Sequence, residues 1–140
     1  MAYCNQDDIL KLIPRDELAE LTTETGDEPD PEVVSEAIAK AEAEIDSYLG
    51  TRYAVPLSPV PAIVKSLAAD LALYHLYSRR SVAPPVRRQK YVDAVAFLKE
   101  VAAGRALIEG AGGEPPAARR EVAEVESATR IFTRDTQGDW

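Results

Sequence analysis

The chain has 140 residues with 46% hydrophobic side chains and a formal charge of −8, enough apolar content for the core of one domain and too much for wholesale disorder. One cysteine, Cys4, excludes an internal disulfide and a cysteine-rich metal site, and one histidine, His75, leaves little for acid–base catalysis. No apolar run of about 18 residues predicts a membrane span, and MAYCNQDDIL lacks the basic and apolar regions of a secretory signal, so folding in a reducing cytosol is expected.

Two short helices are predicted first, Asp7 to Ile13, stopped by Pro14, and Asp16 to Leu21, with Leu18 and Leu21 one turn apart. TTETGDEPDP, residues 22–31, reads as a loop. A longer helix follows, with Asp30 as N-cap, Pro31 at the first helical position and Gly50 as a left-handed C-terminal residue. Its apolar stripe is Val34, Ala37, Ile38, Ala41, Ile45, Tyr48 and Leu49. TRYAVPLSPVP, with Pro56, Pro59 and Pro61, predicts an extended connector.

A third helix is expected from Pro61 to about Arg80. It is apolar on most sides, the mark of a central helix. After Pro84 and Pro85 a fourth runs from about Val86 to Ala103, with Tyr91, Val95, Leu98 and Ala102 in register, and Gly104 ends it. Residues 110–118, GAGGEPPAA, read as linker. Thr129 to Thr133 reads as a short strand. The expected fold is all-α: a small helical bundle of three main helices plus a short N-terminal helical pair over residues 1–104, a Gly/Pro linker over 105–118 and an extended C-terminal arm over 119–140. The arm has too few neighbours of its own to bury Ile131, Phe132 and Trp140, which points to a partner chain.

No residue set supports an enzyme, and no cofactor is expected. The acidic loop (Glu24, Asp27, Glu28, Asp30, Glu32) is the best metal candidate, but Gly26 precedes its aspartates and Pro29 and Pro31 interrupt it, so the EF-hand template fails. No GxGxxG, GxxxxGK[ST], GxSxG or HExxH pattern occurs. His75 has no second histidine to complete a site and is expected to be packed or on a helix surface. Asp70, among Leu67, Leu73 and Tyr74, is expected to be partly buried and held in a structural ion pair by Arg52 or Arg105.

Charge is unevenly distributed: residues 1–50 carry −11, residues 51–109 carry +5 and residues 110–140 carry −2. The turn SRRSVAPPVRRQK holds Arg79, Arg80, Arg87, Arg88 and Lys90 with no acidic interruption. This patch suits an acidic neighbouring subunit, or the wall of a channel through which DNA passes without specific readout. A DNA-binding regulator using the turn is the alternative from another class. Against it stand the acidic chain and the lack of aromatics among the arginines.

The order DELAELT, acidic loop, AEIDSYLGTRYAVPL, VPAIVKSLAADLALYHLYSRR, YVDAVAFLKEVAAGR and terminal RIFTRD resembles a family of head–tail connector proteins of Mu-like tailed phages and prophages, over nearly the whole chain. The most specific pieces are EIDSYLGTRY, LAADLALYHLYSRR and FTRD. The resemblance implies a structural virion protein at the head–tail interface: an adaptor in a ring of identical subunits, commonly twelve, beneath the portal protein, contacting the next connector or tail protein. A stopper or tail-completion protein is the neighbouring alternative. It further implies that Asp46, Tyr48, Arg52, Tyr53, Asp70, Tyr74 and Arg79 hold the fold, and that Arg130, Phe132, Thr133, Arg134 and Asp135 of the arm bind the portal or a neighbouring subunit, with Ile131 and Trp140 as apolar anchors.

Overall fold

The computed structural model describes residues 2–81 and 83–109, and these form five α-helices with no strand among them. The short pair is α1 (Gln6–Leu10) and α2 (Arg15–Thr22); the three main helices are α3 (Pro31–Leu49), α4 (Ala62–Ser78) and α5 (Pro85–Ala102). The architecture is the all-α small bundle expected. Of the linker and arm expected over residues 105–140, residues 110–140, including the strand at Thr129–Thr133, lie outside the described residues.

Local chemistry sets the helix starts. A capping box closes α1: the Asp8 N–H donates to Asn5 Oδ1 at 3.0 Å and the Asn5 N–H to Asp8 Oδ2 at 2.9 Å. Asp30 caps α3 by accepting the Glu32 N–H at 3.0 Å, with Pro31 in the first turn. The buried Thr22 hydroxyl donates to Leu18 O and accepts the Asp30 N–H, so one side chain closes the loop between α2 and α3.

The helix ends divide. Gly104 takes φ 85°; its N–H donates to Val101 O, and the Arg105 N–H donates to Glu100 O at 2.9 Å, the paired bonds of a Schellman ending. Gly50, expected in the left-handed region, instead caps α3 at φ −61° and ψ −16°, its N–H bonded to Asp46 O. The backbone winds on through the Arg52 and Tyr53 N–H groups, which both donate to Leu49 O, so no reversal of hand is needed there. Left-handed backbone appears at Ser81 (φ 60°), in the turn leaving α4.

The helix α4 is central, packing on each of the other four. Val64, Ala68, Leu71, Ala72, Leu73 and Leu76 are fully enclosed, and the alanines let α3 and α5 approach closely. From α3 come Val34, Ala41, Ile45 and Leu49; from α5 come Ala94, Leu98 and Val101. The α5 stripe is thus rotated from the expected one: Tyr91, Val95 and Ala102 sit at its margin and Val92 is exposed. The weakly amphipathic sequence of α5 let small Ala94 take the close-contact position.

Candidate interaction surface

The basic turn is tied into the fold through three of its five cations. Arg79 donates from Nη1 to Leu21 O at 2.8 Å, and Arg80 from Nη2 to Glu20 O at 2.8 Å and to Thr23 O at 2.6 Å. These carbonyls lie at the end of α2, where helix geometry leaves oxygens unpaired and the dipole is negative. Arg87 donates to Leu12 O at 3.3 Å, beyond the end of α1. Arg88 and Lys90 are exposed, and their side chains make no hydrogen bond or ion pair among the described residues.

Asp70 and Arg52 are not brought together, and no ion pair joins them among the described residues. Arg52 donates from Nε to Ala102 O at 3.3 Å, so it caps α5. Its place on the α3–α4 connector puts it beside a helix end whose carbonyls lack donors, and that site wins. The other candidate, Arg105, pairs through two nitrogens with Glu100, and the guanidinium holds that carboxyl below its usual range. Asp70 is half-buried; desolvation pushes its carboxyl above the usual range, while Lys90 and Arg87 pull it back.

His75 is mostly enclosed and belongs to a cluster the sequence did not disclose. Glu44 of α3 receives both partners: Nε2 of His75 lies 3.0 Å from Oε1, and the Tyr91 hydroxyl donates to Oε2 at 2.7 Å. Tyr74 stacks on Tyr91 with ring centroids 4.2 Å apart. The bond to Glu44, helped by burial, pushes the Tyr91 phenol up to about 12. One carboxylate thereby joins α3, α4 and α5. A signal for it did exist: Glu44 stands one turn from Ala41 and Tyr48, at the margin of the apolar stripe, where a carboxylate needs a donor. The arrangement joins three helices.

The acidic loop is spent locally. Asp30 caps α3, Glu28 pairs with Arg15, and Glu24 and Asp27 are exposed. No group of three metal-ligating side chains gathers among the described residues, and no helix there is long and apolar enough to cross a membrane. Residues 105–109, expected as the start of the linker, are held to the domain: the Ile108 N–H donates to the Tyr53 hydroxyl at 3.1 Å and Ile108 is buried. Arg130, Ile131, Phe132, Thr133, Arg134, Asp135 and Trp140 lie outside the described residues.

A family profile described as "Bacteriophage Mu, Gp36" matches residues 3–127. The Mu-like prophage FluMu protein gp36 of Haemophilus influenzae is 36% identical over 103 residues, covering 74% of this chain and 72% of the relative. "Gene product J" of Escherichia phage Mu is 30% identical over 142 aligned positions, covering 99% of each chain.

Proposed function

This chain belongs to the bacteriophage Mu Gp36 family, a family of Mu-like phage and prophage proteins, and from that premise we propose that it is a structural virion protein, a head–tail connector adaptor. In this reading identical subunits form a ring beneath the portal protein and join the DNA-filled head to the tail. The observation that carries it is the likeness to gene product J of phage Mu over 99% of both chains, joined to a sequence order that resembles connector proteins throughout. A non-enzymatic role accords with the side chains: His75 is engaged by Glu44, and Cys4 is buried with its thiol pushed up to about 12 by desolvation.

The residues assigned to partner contact are Arg130, Ile131, Phe132, Thr133, Arg134, Asp135 and Trp140 of the terminus, facing the portal or a neighbouring subunit. Arg88 and Lys90 are the exposed cations of the basic turn whose side chains are unengaged among the described residues, available to an acidic neighbour or to passing DNA. The test is light scattering of the full chain and of a chain lacking residues 129–140, each alone and mixed with portal protein. A many-copy complex formed on the portal by the full chain and lost on truncation is the expected outcome. A small oligomer that ignores the portal but shifts on DNA overturns the proposal.

A further inference from the structure

Val86 and Val92 are the most exposed large apolar side chains among the described residues, at 63% and 46%, and both lie on α5. Ala96, one turn beyond Val92, is exposed as well. The same helix carries charge in an unfavourable place. Arg88 and Lys90 stand near its start, where the dipole is positive, and its first turn holds no acidic side chain to offset them. The outer face of α3 has the opposite arrangement. Glu32 and Glu36 are exposed one turn apart and repel each other. Neither carboxylate is paired among the described residues, with Lys40 or with any other cation. The next exposed residues on that side are Ala39 and Ala43, small enough to let another helix approach closely.

The two faces stand at matching heights. Arg52, just beyond α3, donates to Ala102 O at the end of α5. Arg79, just beyond α4, shares a cleft with Val33 and Glu36 near the start of α3, and α5 begins after the turn that follows. The helices α3 and α5 therefore run parallel, with their first turns at one end of the bundle. From that end the exposed charges of α3 read Glu32, Glu36, Lys40, and those of the first half of α5 read Arg88, Lys90, Asp93. Two of one sign precede one of the other, and the signs are inverted between the helices. Ala39 and Ala43 are about 6 Å apart along their helix, and Val92 and Ala96 repeat that step along theirs. A copy rotated about an axis parallel to the helices keeps each of these levels. The basic start of one α5 then meets the acidic start of the next α3. Because the two faces differ, the contact is head-to-tail and can close into a ring.

We propose that the outer face of α5 docks on the outer face of α3 in a second copy of this chain. Arg88 and Lys90 lie against Glu32 and Glu36, and Val92 and Ala96 against Ala39 and Ala43. The inference rests on the ring of identical subunits proposed above and names its lateral contact. Charge complementarity selects a second copy as the occupant, because the unpaired cations and the unpaired carboxylates that fit them belong to the same chain.

Two full-length variants test it. R88E/K90E makes both faces acidic, and E32K/E36K makes both basic. Light scattering follows each variant and the natural chain, alone at high concentration and with portal protein, after circular dichroism has shown the helices intact. Each variant by itself is expected to lose the many-copy complex that the natural chain forms. An equimolar mixture of the two regains it, since every altered face finds an opposite one, and so does a single chain carrying all four changes. Undiminished assembly of either variant alone, or a mixture no better than its components, overturns this contact and leaves the ring standing. A natural chain that forms no many-copy complex in either setting overturns the connector reading, and the contact falls with it.

Discussion

At the end of the bundle where α3 stops and α4 begins, closure rests chiefly on tyrosine hydroxyls, with Arg52 donating to Ala102 O beside them. Tyr3, 1% exposed, donates to Asp46 and accepts the Leu57 N–H at 2.9 Å, and Tyr53 accepts the Ile108 N–H. At the other end, where α4 turns into α5, closure rests chiefly on guanidinium groups donating to the carbonyls of Glu20, Leu21 and Thr23, with the Tyr77 hydroxyl on Glu17 beside them. A buried phenol can satisfy an N–H in a dry site without carrying charge there, whereas a guanidinium must keep some contact with water. The first end is therefore sealed and the second stays open to salt and to neighbours. That is why the surplus cations of the turn, Arg88 and Lys90, stand at the open end.

The comparison can be broken from the sealed side first. Tyr53→Ala is expected to cost about 3–5 kcal/mol in urea unfolding, the usual loss for a large buried aromatic. Tyr53→Phe should cost about 1–3 kcal/mol by leaving the Ile108 N–H unpaired, with faster hydrogen exchange at that amide. Alkaline titration comes next. Tyr3 is pushed up to about 12 by burial and its bond to Asp46, Tyr77 to about 12 by burial and its bond to Glu17, and Tyr91 to about 12 by its bond to Glu44 and burial. The fold favours the neutral phenol, so this stability is complete below pH 10, the ordinary tyrosine value, and is lost as pH rises from 10 to 12. Urea midpoints across that interval should fall, and a Tyr3→Phe chain should fall less steeply.

The open end should respond less. Arg80→Ala is expected to cost about 1–2 kcal/mol, and Arg80→Lys should restore it only in part, because an ammonium can replace Nη2 on Glu20 and Thr23 but brings no second nitrogen for Leu21 O, which Nε reaches at 3.5 Å. The smallest effect is expected back at the first end, at Arg105→Ala, which lies outside its seal. That side chain and Glu100 are solvent-exposed, and the thermal midpoint should not move measurably.

Much of the backbone was legible in the sequence, because its signals are local. Asp30 with Pro31 marks the start of α3, Gly104 marks the end of α5, and the all-round apolar character of α4 marks its central place. The contacts that close the bundle were not legible, since they join distant positions: Tyr3 to Leu57, Tyr53 to Ile108, and Arg79 and Arg80 to the end of α2. A run of arginines looks the same whether its guanidiniums face water or a helix end, so the patch was overestimated by its engaged members. Asp70 was rightly expected to be half-buried. Its partner was misassigned because the demand for donors at the end of α5, which engages Arg52, is invisible until the helices are placed.

The attachment of Ile108 to Tyr53 has a mechanical consequence. Tension applied to the C-terminal residues is delivered first to a buried side chain and to a hydroxyl on the α3–α4 connector, upstream of the last turn of α5. The load therefore enters the bundle where several segments meet, and α5 is not peeled from its end. A pull at that point is borne by the connector and the core together rather than by one helix end.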